Sequence, residues 1–369
     1  MITKKHINKL IFLILGLVIT AISFNSCKED IELVGSYKET AVIYALLDQS
    51  ESIHFLKINR AFIGPGNALE IAKIPDSSYF KNLEGTITEY INDVVTNTWN
   101  LKDTLVDNKS TNGIFYAPTQ KLYYFKGALN DAATYKLSVI IDKNTTKEFE
   151  ITGETKLVTN LSSAQSSQTS YFRFFNTGVY KTDNIKTTPT GTGSAFRVNA
   201  TLGIDFYEYD DSFSVLDSVS LTWNAGESEV QPNSSYSAAI AGQNFYELIR
   251  DNVTNNPLIT HRQIKSITIR LTGGSEDFNT YINSNKPSSS LAQTKPNFTN
   301  LSVTNNKNVI GIFSARQTVL IVKPFAVPFI NSRAIDSEST KELCTGAITG
   351  NLFFCSGHNL DSGQSYHCP

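Results

Sequence analysis

The residues best equipped for chemistry cluster at the end of the chain. Within CTGAITGNLFFCSGHNLDSGQSYHCP lie Cys344, Cys355 and Cys368, with His358 and His367 among them. In an exported protein the default fate of cysteines is a disulfide. Two of these three are therefore expected to pair, leaving one thiol over. The sharper alternative is a zinc site built from Cys344, Cys355, His358, His367 and Cys368, because thiolates and imidazoles are the donors Zn²⁺ takes. The adjacent His367-Cys368 pair suits one tetrahedral ion poorly, and the spacing matches no standard zinc module. The expectation is a disulfide, with no metal and no other cofactor.

Two further groups attract attention. FYEYDDSF at 206–213 offers Glu208, Asp210 and Asp211. Calcium takes six to eight oxygens, but no Asp-x-Asp-x-Asp-Gly pattern backs these carboxylates, so a solvated hairpin tip is expected. KLYYFKG and YFRFF place Tyr123, Tyr124, Phe125, Tyr171, Phe172, Phe174 and Phe175 in strand-like surroundings, where alternation turns some side chains outward. Tyr123, Tyr124, Tyr171 and Phe172 are the candidate ligand-facing rings, since exposed aromatic faces stack on sugars or pack on partners. The alternative is that both faces are buried. No Gly-x-Ser-x-Gly elbow, His-Glu-x-x-His pair, phosphate loop or dinucleotide fingerprint occurs. His54 falls in an alternating segment and His261 in an expected turn, neither beside an obvious nucleophile. A non-enzymatic role is expected.

These residues must be positioned by β-structure. TAVIYALLD, SIHFLKINRAF, EGTITEYI, TNTWNL, GIFYAP and KLYYFKG are short segments punctuated by Gly, Asn, Asp and Pro. In TYKLSVIID the set Tyr135, Leu137, Val139 and Ile141 shares one face, with Asp142 to Asn144 turning into KEFEITGETKLV. The fold class expected is mainly β, two β-sandwich-like domains in tandem with a few short surface helices. Residues 38–157 form an N-terminal immunoglobulin-like sandwich, 158–170 a Ser/Gln-rich linker, 171–340 a C-terminal β-rich domain, and 341–369 a loop-like tail holding the cysteines. In SITIRL, Ile267, Ile269 and Leu271 point inward and Ser266, Thr268 and Arg270 outward. AAIAGQNFYELIRDNV predicts a helix with Phe245, Leu248, Ile249 and Val253 on one face, and SEDFNTYINSN a second, capped by Ser275. No repeat of fixed period is present.

The start of the chain is of another kind. Lys4, Lys5 and Lys9 precede the uncharged run Leu10–Phe24, the pattern of a signal peptide over 1–26. Phe24-Asn25-Ser26-Cys27 resembles the relaxed lipobox of Bacteroidota lipoproteins, which implies cleavage before Cys27 and its lipidation, with 27–37 as a flexible tether. Lys28-Glu29-Asp30 resembles the Lys-acid-acid signal that sends such lipoproteins to the outer face. Without 1–26 the chain keeps 29 basic residues against 34 acidic ones. That excess of acid argues against nucleic acid as a partner.

A wider resemblance lies in Ile267–Leu271, Ser275–Asn283, Pro296–Asn300 and Gly311–Phe313: a strand, a Ser-acid-x-aromatic helix, a Pro-x-x-Thr-Asn loop and a Gly-x-Phe strand. In these, and in EGTITEY and ATYKLSVIID, the chain resembles a family of uncharacterised Bacteroidota outer-membrane lipoproteins often encoded beside TonB-dependent receptors. The cysteines here are more widely spread than in many members. The resemblance implies a lipid-anchored protein of the outer membrane, facing outward, that assists a TonB-dependent receptor by binding a glycan or peptide. It supplies no catalytic residue. The alternatives are a hydrolase acting on glycan or peptide and an adhesive or gliding-related surface protein.

Overall fold

The computed structural model describes residues 38–369 apart from 62–66, 114, 163–170, 192, 255, 287–297 and 326–332. The signal peptide, Cys27, Lys28-Glu29-Asp30 and the tether to 37 lie outside the described residues, as does most of the expected linker. No described helix is long and apolar enough to cross a membrane.

Alternation drives the first half. β1 (Thr40–Asp48) buries Ala41, Ile43, Ala45 and Leu47 and turns Val42, Tyr44 and Leu46 the other way. β2 (Ile53–Ala61) and β6 (Gln120–Lys126) continue that sheet, with β5 (Lys102–Val106) at its edge. A second sheet holds β4 (Val94–Asn100), β3 (Leu83–Ile91), β7 (Thr134–Ile141), β8 (Phe149–Lys156) and the late strand β16 (Leu301–Val303). All four inward residues expected of β7, Tyr135, Leu137, Val139 and Ile141, are buried. Left-handed backbone at Asp142 and Asn144, types that tolerate it, turns β7 into β8. The sheets meet through side chains such as Trp99 and Phe125, whose rings lie 5.3 Å apart.

The second half adds long strands to the first sheet. β12 (Arg197–Tyr209) pairs with β13 (Val215–Glu229) on one side and β15 (His261–Gly274) on the other. His261 thus opens a strand rather than sitting in a turn. β17 (Asn308–Pro324) joins the halves. Its first part, Asn308–Arg316, runs parallel to β1, and Arg316–Pro324 runs antiparallel to β15. The resulting order is β13-β12-β15-β17-β1-β2-β6-β5.

This pairing corrects the tandem arrangement. Strands on both sides of 158–170 share one eight-stranded sheet, β16 joins the sheet made largely before the linker, and residues Glu39–Pro369 form one compact unit. The physical reason is β17, whose 17 residues exceed what one partner of ordinary strand length can cover. Gly311 permits the junction. Its φ is +107°, and a Cβ there would lie 1.9 Å from the Ile43 carbonyl oxygen.

Among the described residues, four α-helices dress the sheets: α1 (Ala68–Ile71), α2 (Gly242–Asn252), α3 (Glu276–Asn285) and α4 (Ser337–Thr345). α2 buries Phe245 and Ile249 as expected and adds Tyr246, while Leu248 and Val253 are only half-buried. Its first residue must be glycine, because a Cβ would fall 2.0 Å from the Phe174 carbonyl oxygen. α3 is capped by Ser275, whose side chain accepts from Phe278 N–H. Two-residue strands β9 (Phe175–Asn176) and β10 (Val179–Tyr180), and the pair β11 (Thr182–Thr187) with β14 (Tyr236–Ala241), complete the structure.

The tail is a second correction. It is not loop-like: it begins in α4, capped by Asp336, and folds back on β15. Arg262 N–H donates to the Phe353 carbonyl at 2.8 Å and Cys355 N–H to the Arg262 carbonyl at 2.9 Å. The Arg262 guanidinium, 1% exposed, donates to Glu208, to the Leu352 carbonyl and to the Thr254 carbonyl. Each of the three guanidinium nitrogens thereby finds an acceptor, which compensates the burial of the cation.

Candidate functional site

The outer face of the eight-stranded sheet is where the chain leaves aromatic side chains uncovered. Parity decides it. In β2 the buried set is His54, Leu56 and Ile58, so Ile53, Phe55, Lys57 and Asn59 point away from the core. The register places Phe55 opposite Tyr124 of β6 and Lys57 opposite Tyr44 of β1. Phe55 is 49% exposed and Tyr44 40%. The Phe55 and Tyr124 rings lie 6.0 Å apart, within the range of favourable aromatic pairs.

Two walls make this face concave. On one side α3 brings Phe278 and Tyr281; the Tyr281 ring meets Tyr44 edge-on at 6.0 Å and its hydroxyl donates to the Tyr44 hydroxyl at 3.1 Å. Burial, then this contact, pushes the Tyr281 phenol well above its ordinary range. On the other side stand the Pro75–Tyr79 turn and the segment from Lys109 to Gln120, which carries exposed Phe115 and Tyr116. Lys109 ties that segment together, donating to the Tyr116 carbonyl at 2.7 Å and lying 5.2 Å above the Phe115 ring.

Tyr44 divides the face into two clefts. One, of about 380 Å³, is lined by Val42, Lys57, Asn59, Tyr79, Lys109 and Tyr116 among others. The other, of about 660 Å³, is lined by Asp48, Glu51, Ile53, Phe55, Tyr281 and Arg316 among others. Both fall in or near the size of ligand sites. From Val42 to Asp48 the floor extends about 20 Å at ~3.3 Å per residue. β1 and β2 are interior strands, but β2 pairs with β6 only over Ile53–Leu56 and with β1 only over Leu56–Ala61, so Lys57–Ala61 have no strand partner on the side away from β1.

Of the two carboxylates in the larger cleft, Glu51 is exposed and Asp48 is already engaged. Asp48, 1% exposed, accepts from Ser50 N–H and Oγ–H at 3.0 and 2.7 Å, from Thr318 Oγ1–H at 2.7 Å and from Arg316 Nε at 3.2 Å. Burial alone raises its pKa, but these donors outweigh it and hold the carboxyl below its usual value.

Of the four aromatic candidates, the structure brings one to this site. Tyr124 lies on the outer face beside Phe55, half-buried and outside the lining of either cleft. Tyr123, 4% exposed, and Phe172, fully buried, are corrections. Tyr123 shares its parity with Phe125 and faces the core, where burial raises its phenol pKa. Phe172 stacks on Phe174 at 5.2 Å, and Phe174 on Phe245 at 4.3 Å, an apolar pile under α2. Tyr171 is 43% exposed beside Arg173, away from the clefts' lining.

At the C-terminus, Cys355 and Cys368 form a disulfide and Cys344 is a buried free thiol, pushed up to about 12 chiefly by burial. The zinc alternative fails because the disulfide consumes two of its sulfurs. His358 Nδ1 accepts from Leu360 N–H at 3.1 Å and His367 Nδ1 donates to the Cys368 carbonyl at 2.6 Å. Among the described residues no group of three or more His, Cys, Asp or Glu is placed to hold a metal. At the β12–β13 tip Asp210 accepts from Ser212 and Ser214 N–H, a turn-forming role, whereas Glu208 is buried against Arg262.

Tyr44, Phe55, Lys57, Lys109 and Tyr281 escape a motif search because they come from four separate segments. A signal exists in SIHFLKINRA, where both parity sets contain large apolar residues although only one can face the core. No family model matches the chain, and no curated protein matches it.

Proposed function

We propose that the protein is an outer-membrane lipoprotein, anchored through Cys27 and facing outward on the Lys28-Glu29-Asp30 signal, that binds a glycan without cleaving it and assists a TonB-dependent receptor in nutrient capture. The β-sandwich-like packing of its two sheets serves as a rigid platform, and the cleft-lined outer face is the capture surface. The observation that carries this reading is the outward row of Phe55, Tyr44 and Tyr124, rimmed by polar side chains, on interior strands of the sheet. Rings presented this way stack on sugar faces, and a contiguous exposed apolar patch with a polar rim marks a binding site. Of the two carboxylates in the larger cleft, Asp48 is committed to Ser50, Thr318 and Arg316, which leaves Glu51 without the second working carboxylate that glycoside hydrolysis ordinarily takes.

The test is a glycan array with the purified protein, followed by titration calorimetry of the best oligosaccharide. Tyr44→Ala and Phe55→Ala should each weaken binding roughly tenfold, the loss of one stacking contact of about 1–1.5 kcal/mol. Absence of glycan binding, or binding indifferent to both substitutions, refutes the capture surface. Product release from the same oligosaccharide refutes the non-catalytic role.

A further inference from the structure

The smaller cleft carries a charge that the proposed function leaves unused. Lys57 projects from β2 and Lys109 from the opposite wall, both into the 380 Å³ space beside Tyr44. Among the described residues, no Asp or Glu lines this cleft. Lys109 has one of its three N–H directions satisfied by the Tyr116 carbonyl. Burial first, and then the like charge of Lys57, hold the Lys109 ammonium below its ordinary pKa. Two cations brought together in a half-buried space with no counter-charge among its lining residues cost free energy, which an incoming anion returns. Arg60, at the rim, is paired with Glu39 at 3.3 Å and is not needed for the argument.

The rest of the lining says what kind of anion. Tyr44, Tyr79, Phe115 and Tyr116 enclose the lysines with aromatic surface, and Asn59 and Gln120 add polar groups. An inorganic ion would leave those rings unused. A sugar ring bearing an anionic group would place its face on an aromatic ring and its charge between the ammonium groups. The larger cleft differs: Asp48 and Glu51 line it, and Arg316, its cation, is paired with Asp48 at 3.2 Å. The two clefts are therefore not equivalent, and an anionic residue of a bound chain has one preferred place.

Resting on the glycan-binding reading, we infer that the cleft between Lys57 and Lys109 is a subsite for an acidic sugar, carboxylated or sulfated, within the captured glycan. The carboxylate and sulfate sources share the chemistry and separate in the assay.

The experiment titrates the full-length protein with four probes: oligogalacturonate, a sulfated dextran oligomer, a neutral dextran oligomer and an oligoglutamate peptide. At low salt one of the two acidic oligosaccharides should bind at least about tenfold more tightly than neutral dextran, as expected for one or two charge-assisted contacts. The Lys57→Gln/Lys109→Gln variant should lose that preference, its affinity for the acidic oligosaccharide falling to that for neutral dextran. Lys57→Arg should keep it. An unchanged urea midpoint in each variant shows that the fold is intact. The inference is overturned if the acidic preference is missing from the parent, if it survives in the double Gln variant, or if oligoglutamate outbinds both acidic glycans. Neutral binding that depends on Tyr44 but shows no acidic preference sinks this subsite alone. Failure of every oligosaccharide sinks the glycan reading with it.

Discussion

Asp48 sits where β17 leaves β1 and takes up β15, and the architecture predicts what its loss does. The last pair of the parallel register is Asp48 with Arg316, and the first residues beyond it, Gln317 and Thr318, already pair with Gly273 and Thr272. The carboxylate bridges that transfer by holding Ser50 on one side and Thr318 and Arg316 on the other. Asp48→Asn keeps one oxygen for Ser50 but turns an NH₂ toward Arg316. The lost bond from Thr318 to a charged acceptor contributes about 1.5–3 kcal/mol. Arg316 is 42% exposed, so its share is below about 1 kcal/mol. The expected loss is about 2–3 kcal/mol for Asn and about 4 for Ala, which also abandons Ser50. Against a domain stability of about 5–15 kcal/mol these are large fractions.

The pH dependence makes this prediction specific. Asp48 has a folded pKa below its ordinary value of 3.8, so its contribution is fully present above that value and is lost as pH falls through the lower folded value. Urea unfolding of parent and Asp48→Asn should show a constant gap from neutral pH down to about 4.5 and a narrowing gap below about 4. A gap under about 0.5 kcal/mol at pH 7 refutes the bridging role, since that is the range of an ordinary surface substitution. A gap that stays constant down to pH 3 refutes the electrostatic account.

Two further outcomes follow from buried groups. Replacing Cys355 and Cys368 by Ser opens a loop with a sequence separation of 13 and should cost about 3 kcal/mol. Thermal unfolding checks it: reductant should lower the parent to the variant's midpoint and leave the variant unmoved. His54 is buried, stacked on Phe125 at 4.7 Å, with Nε2 3.0 Å from the Gly127 carbonyl. Burial lowers its pKa from 6.5 despite that carbonyl, so the unfolded chain takes up the proton first and stability falls as pH drops below about 6.5. In His54→Phe that part of the pH profile should disappear, and persistence of the same slope assigns it to another group.

What was legible in the chain is what local periodicity encodes. β7, the inward face of β15 and the cap of α3 follow from alternation or from one side chain answering one N–H, and all three are present. The parallel pairing of β1 with β17 is not encoded locally. It joins Thr40 to Asn308 across most of the chain, and neither strand differs in composition from one that pairs with its neighbour. Buried charge was equally hidden. Arg262 and Lys323, each 1% exposed, read as surface residues because burial of a cation is normally prohibitive. What permits it for Arg262 is a set of acceptors, Glu208 and the carbonyls of 254 and 352, that only the fold assembles.

The same limit explains why the aromatic candidates divided as they did. In KLYYFKG three consecutive rings leave parity undetermined, and the choice between Tyr123 and Tyr124 is made by the partner strand. Leu56 and His54 of β2 face the core, and the register sets Tyr123 and Phe125 opposite them, so Tyr124 must point outward beside Phe55. One residue of slip would invert every assignment. That slip is opposed from both faces at once: inward it would expose Phe125, Tyr123 and Leu56, and outward it would bury Lys57 and Lys126. The cleft therefore inherits its precision from the core beneath it. Rings placed on interior strands of a sheet cannot drift without unpairing the backbone, whereas rings on a loop can. A surface that captures a weakly binding sugar, as proposed for this one, would gain from that rigidity, and the presence of large apolar residues on both faces of β2 is its counterpart in the sequence.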